Sequence, residues 1–183
     1  MHDLLEGVVQ YEIKLVLSYL ISDREPALIT LNQLNKEIAS FDYGSTEKSN
    51  QPSQIKLNSQ GNAIGQKAMQ SWCLIRHLPL IIGHLLEEWD MPYFELLLQL
   101  LDCMDIFSPK VTHGLIAKLG ILIVDHYTKF HEVFPTYSLI PKHHFMVHYP
   151  TCLRKVGPLI HVWCMRYEAK QLFLSNCQLL SKL

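Results

Sequence analysis

Along most of the chain apolar residues recur every three or four positions, and alternation with a period of two is nearly absent. That spacing suits helices with one buried face and supplies no half-buried strands, so it predicts an all-α fold, a multi-helix orthogonal array. From Leu4 to Ile21, Val9, Ile13, Val16, Leu17 and Leu20 line one side, while Glu6, Gln10, Lys14 and Ser18 make a polar stripe. This is an amphipathic helix. Ser22 followed by Glu25 resembles a capping box and Pro26 fits a first turn, which predicts a second helix carrying Leu28, Leu31, Leu34 and Ile38. Residues 42–61 change character. Their run of Asp, Gly, Ser, Thr, Asn, Gln and Pro has almost nothing to bury and is expected to be a mobile surface loop, with Ile55 to Leu57 a short extended piece.

After Asn62, Ile64, Ala68, Trp72, Ile75, Ile82, Leu86 and Trp89 keep a helical register through Pro79. Proline lacks an N–H and collides with the carbonyl four residues back, so one helix is expected to end near Leu78 and another to begin at Pro79. Pro92 opens a further helix with Phe94, Leu97, Leu98 and Leu101 inward. Ser108 and Pro109 fit an N-cap and first position of a long helix through Val111, Leu115, Leu119, Leu122, Ile123 and Phe130, stopping before Pro135. A last helix is expected from about Met165 to Leu183, with Leu172, Phe173, Leu179 and Leu180 inward.

The 183 residues, 49% of them hydrophobic and with a formal net charge of −1, are enough for one helical domain and unlike a disordered tail. Five cysteines at irregular spacing, without a CxxC pair, write no disulfide framework, and a reducing compartment is expected. No basic leader and no apolar run of about 18 residues is present, which predicts an intracellular chain without a membrane partner. The near-neutral total hides segregation. Between Arg76 and Lys110 stand the acids Glu87, Glu88, Asp90, Glu95, Asp102 and Asp105 and no base, whereas residues 133–183 carry Lys142, Arg154, Lys155, Arg166, Lys170 and Lys182 against Glu168. The charges suggest an acidic helical body and a histidine-rich, basic segment over 141–183.

Nucleotide-binding and hydrolase signatures are missing, and no small-molecule substrate is indicated. Three candidates remain. His144, His148 and Cys152 fall four residues apart, with His161 and Cys164 beyond, and an i, i+4 histidine pair on a helix suits zinc. Pro150 is expected to interrupt that helix, and a hydrogen-bonded or plain surface role competes with the metal one. The bases Lys142, Arg154, Lys155, Arg166 and Lys170 could neutralise phosphates, with Tyr149, Trp163 and Tyr167 stacking or simply packing; a solvated face is the alternative. Glu168 is either a lone functional carboxylate or a member of an ion pair with Arg166 or Lys170.

Four blocks carry a resemblance: Met1-His2-Asp3-Leu4-Leu5-Glu6-Gly7-Val8; Trp72-Cys73-Leu74 with Leu78-Pro79-Leu80 and Gly83; Pro141-Lys142-His143-His144-Phe145-Met146-Val147-His148-Tyr149-Pro150; and Gly157-Pro158-Leu159 leading to Trp163-Cys164-Met165-Arg166-Tyr167-Glu168-Ala169-Lys170. Together they resemble the second half of a DNA transposase related to the CACTA (En/Spm-like) and KDZ groups, as carried in transposon-derived animal proteins. The resemblance implies a helical insertion and last helix from an RNase H-like nuclease, without its sheet. In the intact family enzyme three acids hold Mg²⁺ for strand cleavage and transfer, and Glu168 matches the third. The family places an Asp just before the Met-His pair; Asp3 follows the pair and does not match it. Gln171 stands where relatives carry His, and Leu172 to Leu183 depart from a basic continuation, as in a truncated or frameshifted copy. The resemblance therefore implies a transposase-derived protein, nuclear if functional, inactive and without a cofactor of its own. DNA, a protein partner or another copy of the chain are the partners it implies. A helical protein-interaction or DNA-binding module using the basic C-terminal quarter is the alternative.

Overall fold

In a computed structural model of the chain, which describes residues 3–57, 61–106 and 112–159, the protein is all-α, with no strand among the described residues. A π-helical turn at Leu4–Val8 runs into α1, Val9–Ser18, and ends in a second π-helical turn, Tyr19–Asp23. The remaining helices are α2 (Leu31–Ser40), α3 (Gly44–Glu47), α4 (Ala68–Ile82), α5 (Met91–Asp105), α6 (His113–Val133) and α7 (Pro141–Val156). None of them is long and apolar enough to cross a membrane. The expected helix at the C-terminus, with Glu168, lies outside the described residues.

The first helix is the axis of the fold. Leu4, Leu5, Val8, Val9, Ile13, Val16, Leu17 and Leu20 are completely buried. The turn Leu4–Val8 packs against α4 and α7, α1 packs against α4 and α5, and α6 lies between α5 and α7. Burying a Leu, Ile or Val side chain contributes about 1.5–3 kcal/mol, so this inward set is a substantial contributor to stability. The polar stripe is only half a solvent face. Glu6 is exposed and Lys14 partly so, but Gln10 is buried, where its amide donates to the Gln66 carbonyl and accepts from the Ile64 N–H. A buried amide is tolerated because both its ends are satisfied.

Four expected boundaries move. The second helix begins at Leu31, not Pro26: Thr30 caps it through the Gln33 N–H, Gln33 returns the bond, and Leu28 lies before the helix. Both prolines expected to break helices sit inside them, Pro79 in α4 and Pro150 in α7. An interior proline costs about 3 kcal/mol, which the flanking burial outweighs: Leu78, Ile81 and Ile82 turn inward on α4, and Met146, Tyr149 and Leu153 on α7. The Pro150 ring also lies over Gly120 of α6. The long helix starts after the Thr112 cap, whose hydroxyl accepts from the Leu115 N–H, and it stops at Val133, before Pro135 as expected.

Segment 42–57 also buries more than its composition suggests. It contains α3 and a 3₁₀ turn at Lys48–Asn50, and Tyr43 and Ile55 are inside. The Tyr43 hydroxyl donates to the Ile38 carbonyl, and the Ile55 N–H donates to the Asn35 side chain.

Gly7 marks a close approach. A Cβ at this position would run into the Lys142 side chain on α7, whose Nζ donates to the Glu6 carbonyl at 3.4 Å. Gly7→Ala is expected to cost about 1 kcal/mol by displacing Lys142. In a Lys142→Ala background most of that loss should vanish, as urea denaturation of the four chains of a double-mutant cycle would read.

Candidate functional site

The densest chemistry among the described residues is buried between three helices. Glu12 of α1 is fully enclosed. Its Oε1 accepts from Nε2 of His126 on α6 at 2.9 Å and from Nε2 of His143 on α7 at 3.0 Å. His143 Nδ1 accepts from the Ile140 N–H at 3.1 Å, which leaves its Nε2 as the proton-bearing nitrogen that faces the carboxylate. The Tyr127 hydroxyl donates to the His143 carbonyl, and the rings of Tyr11 and Phe130 stand against the His143 imidazole. The Tyr11 hydroxyl donates at 2.9 Å to the Ser138 carbonyl, holding the turn before α7.

Burial alone would raise the Glu12 carboxyl, yet His126 first and His143 second outweigh it and hold the group below its ordinary value. Glu12 Oε2 and His126 Nδ1 are buried without a hydrogen-bond partner among the described residues. No three His, Cys, Asp or Glu side chains there are placed to hold a metal ion. The cluster is thus a hydrogen-bonded polar core in which one carboxylate oxygen joins residues 114 and 131 positions away.

Sequence spacing had a signal for it. Glu12 falls in the inward register Leu5, Val9, Glu12, Val16, and His126 in the register Leu119, Ile123, His126, Phe130. A polar residue on an apolar stripe needs an internal partner, because burying it alone costs several kcal/mol. Which partner it finds depends on how the helices pack.

The predicted site residues scatter. His144 and His148 lie exposed on α7 with their Nε2 atoms 3.0 Å apart, while Cys152 is exposed further along the same helix. Pro150 does not break this helix, so the three do share it, but they do not form a three-ligand group. Lys142 sits at the start of α7 and Arg154 and Lys155 in its last turn, about 18 Å away at ~1.5 Å per residue. They do not make one patch. Glu168, Arg166, Lys170, His161 and Cys164 lie outside the described residues.

The acidic segment is partly neutralised at home. Arg24, itself buried, donates from Nε to Asp90 and from Nη2 to Glu87, each at 2.7 Å, and lies 5.8 Å from the centre of the Trp89 ring. Lys129 of α6 meets Glu95 of α5 at 2.9 Å. Cys73 stands 3.6 Å from His77 Nδ1, a cysteine–histidine approach that could suggest a nucleophile, but burial pushes its thiol up to about 11, away from the reactive thiolate. Cys103 is pushed up to about 12 by burial and then by Glu12.

Compared with protein-family models, curated proteins and solved structures, the chain matches none.

Glu12→Ala is expected to cost about 3–5 kcal/mol at neutral pH by leaving two buried imidazoles unpaired, and Glu12→Gln about 1–3 kcal/mol, since its carbonyl still accepts. A carboxyl held low in the folded chain contributes fully above its unfolded value of about 4.3 and loses that contribution as pH falls through the lower folded value. The gap between wild type and Glu12→Gln should therefore begin to narrow below about pH 4 and keep narrowing as pH falls, as denaturant titrations from pH 7 to pH 3 would show.

Proposed function

We propose that the chain is a piece of a DDE-type DNA transposase related to the CACTA and KDZ groups: the helical segment between the second and third catalytic acids, followed by the stretch with Glu168. The observation that carries this reading is the convergence of separated blocks of the resemblance. Leu4–Val8 packs on α4, which holds Trp72, Cys73, Leu74, Leu78, Pro79 and Leu80, and on α7, which spans Pro141 to Pro150.

The first helix and α7 run antiparallel: the Tyr11 hydroxyl reaches the Ser138 carbonyl just before α7, and Gly7, one turn earlier, lies by Lys142 in its first turn. The entry to the first helix and the exit of α7 toward Glu168 therefore stand at the same end of the bundle. A segment inserted between two strands of a nuclease core has to return the chain to where it left, and adjacent ends meet that requirement.

Alone, the chain does not cut DNA on this reading, because two-metal strand transfer needs carboxylates on both sides of the scissile phosphate and Glu168 supplies one. Supercoiled plasmid incubated with the protein and Mg²⁺ or Mn²⁺ is expected to stay uncut; nicking that Glu168→Gln abolishes would refute the expected inactivity of the chain alone. The transcript upstream of the Met1 codon offers an independent check: an in-frame Asp just before the Met-His pair is expected, and an unrelated reading frame there would sink the ancestry.

A second reading rests on the exposed Arg154 and Lys155 in the last turn of α7, next to Gly157. Neither side chain is ion-paired among the described residues, whereas Lys142 is turned to the Glu6 carbonyl. If the domain binds duplex DNA, Arg154→Ala with Lys155→Ala should reduce the slope of log K against log salt by about 2, at ~0.9 per phosphate contact. Lys142→Ala should leave that slope unchanged. Absence of binding at low salt would remove this reading and leave the ancestry standing.

A further inference from the structure

The exposed face of α7 carries an arrangement that neither the transposase reading nor the polar core uses. His144 and His148 stand one turn apart, both exposed, with Nε2 to Nε2 at 3.0 Å, ring centroids 4.7 Å apart and ring planes at 83°. We propose that this pair is a two-point chelate for a divalent transition-metal cation of the Cu²⁺, Ni²⁺ and Zn²⁺ class.

The spacing is that of a metal bite. A cation held ~2.05 Å from each imidazole nitrogen separates the two by about 2.9 Å at a right angle and about 3.3 Å at the tetrahedral angle. The observed 3.0 Å falls within that range, near the right-angle geometry of square-planar Cu²⁺ and Ni²⁺. Without a cation, one ring must donate its Nε2 proton to the lone pair of the other, a neutral hydrogen bond in water worth about 1 kcal/mol or less. With one, both lone pairs turn to the metal and the donor ring's proton moves to Nδ1, where the other ring already carries its own.

The backbone under the pair is fixed. Met146, Tyr149 and Leu153 bury the opposite face of α7, and the Pro150 ring packs on α6, so the two Cα atoms are held at helical spacing before any cation arrives. Preorganised donors make the second bond intramolecular, which raises affinity without new contacts. The described chain from Val133 to Leu159 contains no carboxylate, so hard-cation ligands such as would favour Mg²⁺ or Ca²⁺ are lacking on this helix, while imidazole suits the later first-row metals. Cys152 is not a third ligand in this arrangement, and the open positions go to water.

Isothermal titration of Cu²⁺, Ni²⁺ and Zn²⁺ into the full chain tests the assignment, alongside His144→Ala, His148→Ala, the double variant and Cys152→Ala, each checked for an unchanged helical circular-dichroism melt. One site per chain is expected, weakened about tenfold or more in either single histidine variant and lost in the double. Cys152→Ala should bind as wild type does. Copper bound at one equivalent should show nitrogen superhyperfine structure in its electron paramagnetic resonance spectrum, absent from the double variant. Undiminished affinity and stoichiometry in the double variant would overturn the proposal, and so would loss of binding in Cys152→Ala, which would make the thiol an obligatory ligand.

Discussion

A single carboxylate oxygen holds this bundle in register. Glu12 Oε1 accepts from two histidines on two other helices, inside a core that excludes water. The bonds are directional, so α1, α6 and α7 must meet at one rotation and one height for both imidazoles to reach the same atom. Apolar packing alone tolerates sliding and small rotations. A buried charge does not, because a shift that loses a partner exposes the carboxylate to the full cost of its desolvation. The neighbouring bonds follow the same line: Tyr127 holds the His143 carbonyl, and Tyr11 holds the turn that leads into α7.

Charge has a different meaning in three dimensions than along the chain. Six acids without a base between residues 77 and 109 look like an acidic face. Arg24, far upstream, takes Glu87 and Asp90, and Lys129, far downstream, takes Glu95. The basic quarter divides too, with Lys142 at one end of α7 and Arg154 and Lys155 at the other. Long-range pairing and distance along a helix both weaken the electrostatic contrast that one-dimensional counting suggests.

Among the described residues, three of the blocks on which the proposed transposase ancestry rests meet at the first helix. Gly7 admits the Lys142 side chain, the Leu4–Val8 turn lies on both α4 and α7, and the prolines of two blocks are interior to their helices. These are small, apolar or rigid residues that let the first helix and α7 run side by side. Such a pair brings the two ends of a helical segment together, which suits insertion into a larger fold. The histidine pair on the outer face of α7 has no part in this packing.

Helical content was legible in the residues, because apolar spacing of three and four survives whatever the packing, and so were the stop before Pro135 and the start at Pro92. The sequence also carries the off-pattern Glu12 and His126 on apolar stripes. It could not say that they are partners, since a contact between residues 114 apart is decided by how helices cross and not by any local preference. The continuity of α4 and α7 through proline was equally a tertiary decision. Locally each proline costs a hydrogen bond, and only the burial of Leu78, Ile81 and Ile82, or of Met146, Tyr149 and Leu153, makes the uninterrupted helix the lower free energy. What the sequence determined by itself is the helical class of the fold. The continuity of the helices, their registry around Glu12 and the pairing of their charges were settled by packing, because those terms exist only between segments that the chain brings together when it folds.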